Sequence, residues 1–264
     1  MVTAVALLFV IMPALFWHST WFGKTLTDEK ISEYLADREK PRQAQHALAQ
    51  ISERMSRRDP AVKQWYPELL ALAGHPVPQI RLTVAWLMGQ DSASPEFHNK
   101  LLDLVDDPDP LVARNAALSL AGFGDPAGRP VLRSMLRPFT VRSPHAGVLS
   151  NRLKEGDAVD QDTLLARVLQ DGETEPAEVR SPVPGQVAER LLADGTQVRA
   201  GDDLMVLSPG SDHAYEALRA LFLVGSLEDL DDVRRFLTPR DAMPPQVAEQ
   251  ARLTAEEIRN RAAR

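Results

Sequence analysis

The stretch that decides the fold is DPDPLVARNAALSLAGFGDPAGRPVLRSML, residues 107–136. Its first half is a helix written with its own punctuation. Asp109 is placed to cap it, Pro110 stands at the first helical position, where a missing N–H costs nothing, and Gly122 stands near its end. Two earlier segments share this grammar: PRQAQHALAQI from Pro41, and PQIRLTVAWLMGQD from Pro78 with Gly89 near its end. Ala117, Leu118, Leu120 and Ala121 repeat Val84, Ala85, Leu87 and Met88 at an offset of 33, a period that signals stacked helix pairs. The partner helices are read at 65–74, 97–107 and 128–136.

This pattern resembles HEAT repeats, including those of the phycobilin-lyase type. The resemblance is closest over residues 60–136. It implies an α-solenoid that binds other proteins on its concave face; the fold alone does not imply an enzyme. Arg81 and Arg114 fall at matching repeat positions, where they either hold neighbouring turns or face a partner. Trp65, Tyr66 and Trp86 are the aromatic side chains expected either in the core or as binding anchors. These five residues are the candidate protein-binding set.

After Leu136 the texture changes. VRSPHAGVLSNRLKEGDAVDQDTLLARVL (141–169) returns as VRSPVPGQVAERLLADGTQVRAGDDLMVL (179–207). Ser143, Pro144 and Gly147 recur 38 residues on as Ser181, Pro182 and Gly185, and Gly156, Val159, Leu165 and Val168 recur 39 residues on. Short alternating runs divided by Gly/Asp turns predict strands. The paired halves resemble the barrel-sandwich of biotinyl/lipoyl domains, with Asp162 where the second glycine of the first half belongs.

Such a carrier needs a lysine at the tip of the hairpin joining its halves. Pro176 and Ala177 occupy that region, and the module's one lysine, Lys154, lies in a different turn. No biotin, lipoate or other cofactor is therefore expected. The connection QDGETEPAE is also too short for the helical hairpin of membrane-fusion adaptors.

Beyond the second copy, residues 211–239 return to the repeat texture. Ala220, Leu221 and Leu223 precede Gly225 as Ala117, Leu118 and Leu120 precede Gly122. Without residues 138–209 the Gly122 to Gly225 spacing falls from 103 to 31, so the β module reads as an insertion into the helical array. A final helix carries Val247, Ala251, Ala255 and Ile258 on one stripe.

Residues 1–22 contain no charged side chain and as a helix would extend about 33 Å, which predicts a single transmembrane anchor. Trp17, Trp21 and Phe22 suit an aromatic belt, and the basic residues from Lys24 onward would place the soluble part in the cytoplasm. The expected organisation is an anchor at 1–23, HEAT-like helices at 24–137, the barrel-sandwich module at 138–209, and further HEAT-like helices at 210–264.

Net charge is −7 with the signs interspersed, so no basic stripe invites nucleic acid. The absence of cysteine excludes disulfides and thiolate chemistry. Phosphate-loop, dinucleotide, zincin and nucleophile-elbow motifs are all missing, and the six histidines are scattered singly. The acidic run Glu228, Asp229, Asp231 and Asp232 reads as the first turn of a helix. No catalytic or metal site is expected. The sequence points to a membrane-anchored, non-enzymatic scaffold or accessory subunit with a protein partner in a membrane complex. Alternatives are an adaptor of a transport or secretion complex, and a cofactor-handling assembly factor or lyase-like protein.

Overall fold

The computed structural model describes residues 25–238 and 243–263. The membrane anchor expected at 1–23 lies outside them. Among the described residues no helix is long and apolar enough to cross a membrane. The longest, Pro245–Ala262, carries Glu249, Arg252, Glu256, Glu257, Arg259 and Arg261. The expected single-pass membrane localisation is corrected accordingly.

The described chain forms two compact units, meeting in sequence at Asp91 and Ser92. The first contains helices α1 (Asp28–Ala36), α2 (Pro41–Ser56), α3 (Tyr66–Leu72) and α4 (Pro78–Met88), with a 3-10 segment at Pro60–Trp65. Caps start these elements where the sequence provides a short oxygen side chain. Thr27 accepts from the Lys30 N–H, and Asp59 accepts from the Ala61 N–H. α2 packs against α1 and α4, and α4 against α3. Ile31, Leu48, Ile51, Leu69, Ile80 and Leu87 are fully or almost fully buried.

In the second unit α5 (Pro95–Leu104) and α6 (Pro110–Gly122) form an antiparallel pair, followed by α7 (Arg129–Ser134). Ser94 and Asp109 cap α5 and α6. The left-handed residue after α6 is Gly124, with φ +76°; Gly122 is still helical. Eight strands come next: β1 (Phe139–Arg142), β2 (Gly147–Asn151), β3 (Ala158–Val159), β4 (Leu164–Leu169), β5 (Ala177–Arg180), β6 (Gly185–Arg190), β7 (Gln197–Val198) and β8 (Asp203–Pro209). They build two four-stranded antiparallel sheets, ordered β1-β8-β6-β3 and β5-β4-β2-β7. Replacing each strand by its counterpart in the other half, β1 by β5 through β4 by β8, turns one order into the other.

The internal repeat is kept bond for bond. Asp162 N–H donates to Ser181 O and Gly201 N–H donates to Ser143 O, each at 2.8 Å. Gly156 N–H donates to Val187 O and Gly195 N–H to Leu149 O, again at 2.8 Å. Asp162 takes the left-handed conformation (φ +62°) that Gly201 takes in the other half (φ +92°), a region Asp tolerates better than most residues. Gly147 and Gly185 are required by close approach: a Cβ there would stand 2.2 Å from Leu169 O and 2.3 Å from Ser208 O.

The helices then resume as α8 (Ser211–Val224), α9 (Leu230–Arg234) and α10 (Pro245–Ala262), with a 3-10 turn at Leu227–Asp229. α8 packs on α6, α7 and α10. Leu132, from before the strands, and Leu221, from after them, belong to one hydrophobic core together with Ala117, Val247 and Ile258. The strands enclose a separate core containing Val141, Leu165, Val187 and Leu204.

Candidate functional site

The five candidate residues have different fates. Trp65 is a core residue and not a surface anchor. It is fully buried, its Nε1–H donates to Ser32 Oγ at 3.0 Å, and the Arg54 guanidinium lies 5.0 Å from its ring centroid. It ends a 3-10 segment rather than lying on a helix, which is why helical periodicity did not fix its direction. Tyr66 is half-buried and donates to Asp91 Oδ2 at 2.7 Å. Burial, followed by that carboxylate, pushes its phenol well above the ordinary range.

Arg81 holds the turn before its own helix, its Nη1 donating to His75 O at 2.8 Å and Pro76 O at 3.3 Å. Trp86, also on α4, is 49% exposed. It lines an open groove of about 510 Å³ between α2 and α4, opposite Gln45, Ala49 and Ser52, with Gln79 and Thr83 on its own helix. A large exposed aromatic at the edge of a groove, ringed by uncharged polar groups, can be buried by a partner with little desolvation cost.

Arg114 occupies the position of Arg81 one repeat later, but faces a different environment. It lines a narrow cleft in the second unit with Arg137, Phe139, Pro184, Ser208 and His213. Its Nη1 is buried with no hydrogen-bond partner among the described residues. Burial lowers its pKa to about 10, which leaves it cationic at neutral pH. The His213 imidazole is pushed toward its neutral form by burial and by the Arg114 charge, against the opposing pull of Asp212 and Asp160.

The two sheets add another surface. β1 and β5 are edge strands, and an open cleft of about 570 Å³ runs between them, lined by Phe139, Thr140 and Arg142 on one side and Glu178 and Arg180 on the other. The β4–β5 turn, residues 170–176, contains no lysine. Lys154 lies in the β2–β3 turn, where its backbone N–H donates to Asp157 Oδ2 at 2.9 Å.

A charged cluster that sequence reasoning missed joins α7 to the turn after α8. Arg129 Nε donates to Asp229 Oδ2 at 2.8 Å. Arg133 Nε donates to Asp232 Oδ2 at 3.0 Å, and Arg137 donates to both Asp232 oxygens at 2.7 Å. The signal was present as arginines spaced four apart opposite an acidic run. What the sequence lacked was the pairing of segments 95 to 100 residues apart. Asp229 and Asp232 are buried, and guanidinium groups engage both. Among the described residues no group of three or more His, Asp or Glu side chains is placed to hold a metal ion.

Residues 66–150 match the family described as HEAT repeats. The match includes α3 to α7 and continues into β1 and β2. HEAT repeats suggest a protein-interaction scaffold with protein partners. A comparison with curated proteins finds no match. Among solved structures, the apo form of the ectoine utilization protein EutE (DoeB) from Ruegeria pomeroyi is 22% identical with a TM-score of 0.24, covering 36% of this chain and 34% of that one. The product-bound form is 23% identical with a TM-score of 0.23, covering 36% and 33%. The chain spans about a third of the length of these structures, and scores at that level define no shared fold.

Proposed function

We propose that the protein is a non-enzymatic scaffold that docks a partner protein on its HEAT-like helices. Residues 24–137 and 210–264 supply the helical array, and an unmodified biotinyl/lipoyl-like module, residues 138–209, provides a second docking surface. The strand orders and the repeated bonds of the two halves support the family reading of the module. The lysine-free β4–β5 turn supports its being unmodified.

The observation that carries the docking reading is Trp86, half exposed at the groove between α2 and α4. A buried tryptophan anchor contributes on the order of 2–4 kcal/mol to an interface, whereas an exposed tryptophan in the free protein contributes little to its own fold. The test is to place a photo-crosslinking side chain at Gln45 or Thr83 in the full chain and identify the adduct, with Trp86→Ala in parallel. The expected result is one dominant protein adduct that Trp86→Ala abolishes while leaving the melting temperature nearly unchanged. An adduct that survives Trp86→Ala undiminished refutes the reading.

A further inference from the structure

We infer that the cleft at Arg114, where α6, α8 and the strands meet, is a binding site for a carboxylate group. Arg81 provides an internal comparison, because it occupies the same repeat position and its Nη1 is held by two turn carbonyls. Arg114 has no such carbonyl: among the described residues its buried Nη1 has no partner. The change follows from the insertion. After α7 the chain turns into β1, and the strand module brings Val183, Pro184 and Leu207–Pro209 against the helix that carries Arg114.

The surroundings favour an anion. No side chain lining the cleft is acidic. Arg137, the second cation there, is already engaged by Asp232. Asp212 and Asp160 act on His213 from outside the lining. α8 opens beside Pro209 with Gly210 as its N-cap and no side-chain cap hydrogen bond, and Asp212 in its first turn offsets part of the dipole's positive end at the same rim.

The available space narrows the chemistry. The cleft has about 10 Å³ of room, enough for one water-sized group. One carboxylate oxygen can enter there and accept from the buried Arg114 Nη1, the one nitrogen of that guanidinium shown to lack a partner among the described residues. The carboxylate's source is an Asp or Glu side chain of a docked partner, and this assignment of the source rests on the docking function proposed above. A free small carboxylate shares the chemistry and is separated by experiment.

The test uses the full chain labelled with ¹⁵N, observing the arginine Nε–H signals. Sodium acetate is titrated against sodium chloride at matched ionic strength. A capped pentapeptide with one central Glu is then compared with its Gln counterpart. The Arg114 signal is identified by its loss in Arg114→Gln. The expected result is a saturable shift with acetate that chloride does not reproduce, a tighter response to the Glu peptide, and none to the Gln peptide. Removing an unpaired buried charge should not unfold the chain. Arg114→Lys, which keeps the charge but loses the guanidinium, should bind more weakly.

A response to acetate without one to the Glu peptide supports the site and assigns it to a free carboxylate. Equal responses to acetate and chloride overturn the inference, as does equal acetate affinity in Arg114→Lys and the parent protein, read in both at the Nε–H of Arg137, which lines the same cleft. If Arg114 gives no carboxylate response while Trp86→Ala still abolishes crosslinking, the inference falls and the docking reading stands. A carboxylate response with no Trp86-dependent adduct gives the reverse.

Discussion

Replacing Asp232 by Ala tests whether the two helical segments flanking the strands are clamped by charge as well as by the apolar core. The Asp232 carboxylate is 2% exposed and accepts three charge-assisted hydrogen bonds, one from Arg133 and two from Arg137. Breaking a fully buried ion pair costs about 3–5 kcal/mol, and an exposed pair contributes about 0–1. Arg133 and Arg137 are 31% and 46% exposed, so once released both guanidinium groups regain much of their hydration. The expected loss is therefore about 2 kcal/mol, equivalent to a fall of about 4–8 °C in Tm for a unit of this size. Urea melts followed by circular dichroism measure it.

The pH dependence gives a second reading of the same bond set. Burial raises the Asp232 pKa, but the hydrogen bonds and charges of Arg137 and Arg133 outweigh it and hold the group below its ordinary 3.8. A carboxylate with a depressed folded pKa contributes stability that is fully present above the unfolded value and lost as pH falls through the folded one. The difference between the parent protein and Asp232→Ala should therefore be constant at neutral pH and shrink below about pH 3.8. A loss under about 0.5 kcal/mol at pH 7, or a difference unchanged at the acid end, would refute the clamp.

Two further outcomes follow from the packing. Gly128→Ala places a Cβ 2.7 Å from Ala117 Cα, so α6 and the turn before α7 must separate; the expected cost is about 1–3 kcal/mol in a urea melt, and an unchanged midpoint contradicts the close approach. Replacing residues 138–209 by a short Gly/Ser linker should leave a soluble protein with more helical circular dichroism per residue, because Phe139 pairs with Leu207 and the strand module enters and leaves at neighbouring points. An aggregated product would show that the helices depend on the strands for their fold.

Local chemistry accounts for what the sequence made legible. Pro110 after Asp109 announces a helix start because the carboxylate accepts from Leu111 and Val112 N–H groups and the proline has no N–H to leave unsatisfied. The two strand halves were visible because the same turns need the same residues, with Asp162 standing in for a glycine where only a left-handed backbone is required. The side chains that escaped are those whose environment comes from distant sequence. Trp65 and Trp86 are both tryptophans in the helical region, yet one is sealed under Arg54 and the other is half exposed. Arg81 and Arg114 share a repeat register and differ only in what the fold brings against them. The expected membrane localisation rested on residues 1–22, outside the described chain, and the described residues supply no spanning helix.

The strands that follow α7 account for the unpartnered Nη1 of Arg114. A loop of any length adds little closure cost, about 0.6 kcal/mol per doubling, provided its ends meet where the host helices already stand close. β1 and β8 meet that condition by pairing with each other, and the Arg129, Arg133 and Arg137 series fixes α7 to the 3-10 turn and α9, which follow α8, independently of the strands. These contacts among the helices involve no strand residue, which is why the helices are expected to stay packed when the strands are removed. The module's Val183–Pro184 segment and the end of β8 instead line the cleft beside α6 and α8 in which Arg114 Nη1 is buried without an acceptor. A guanidinium nitrogen buried beside neighbours that give it no acceptor is an unmet donor where the helices and strands meet. An acidic group that entered there would contact helices and strands at once, and would bind only while both are in place.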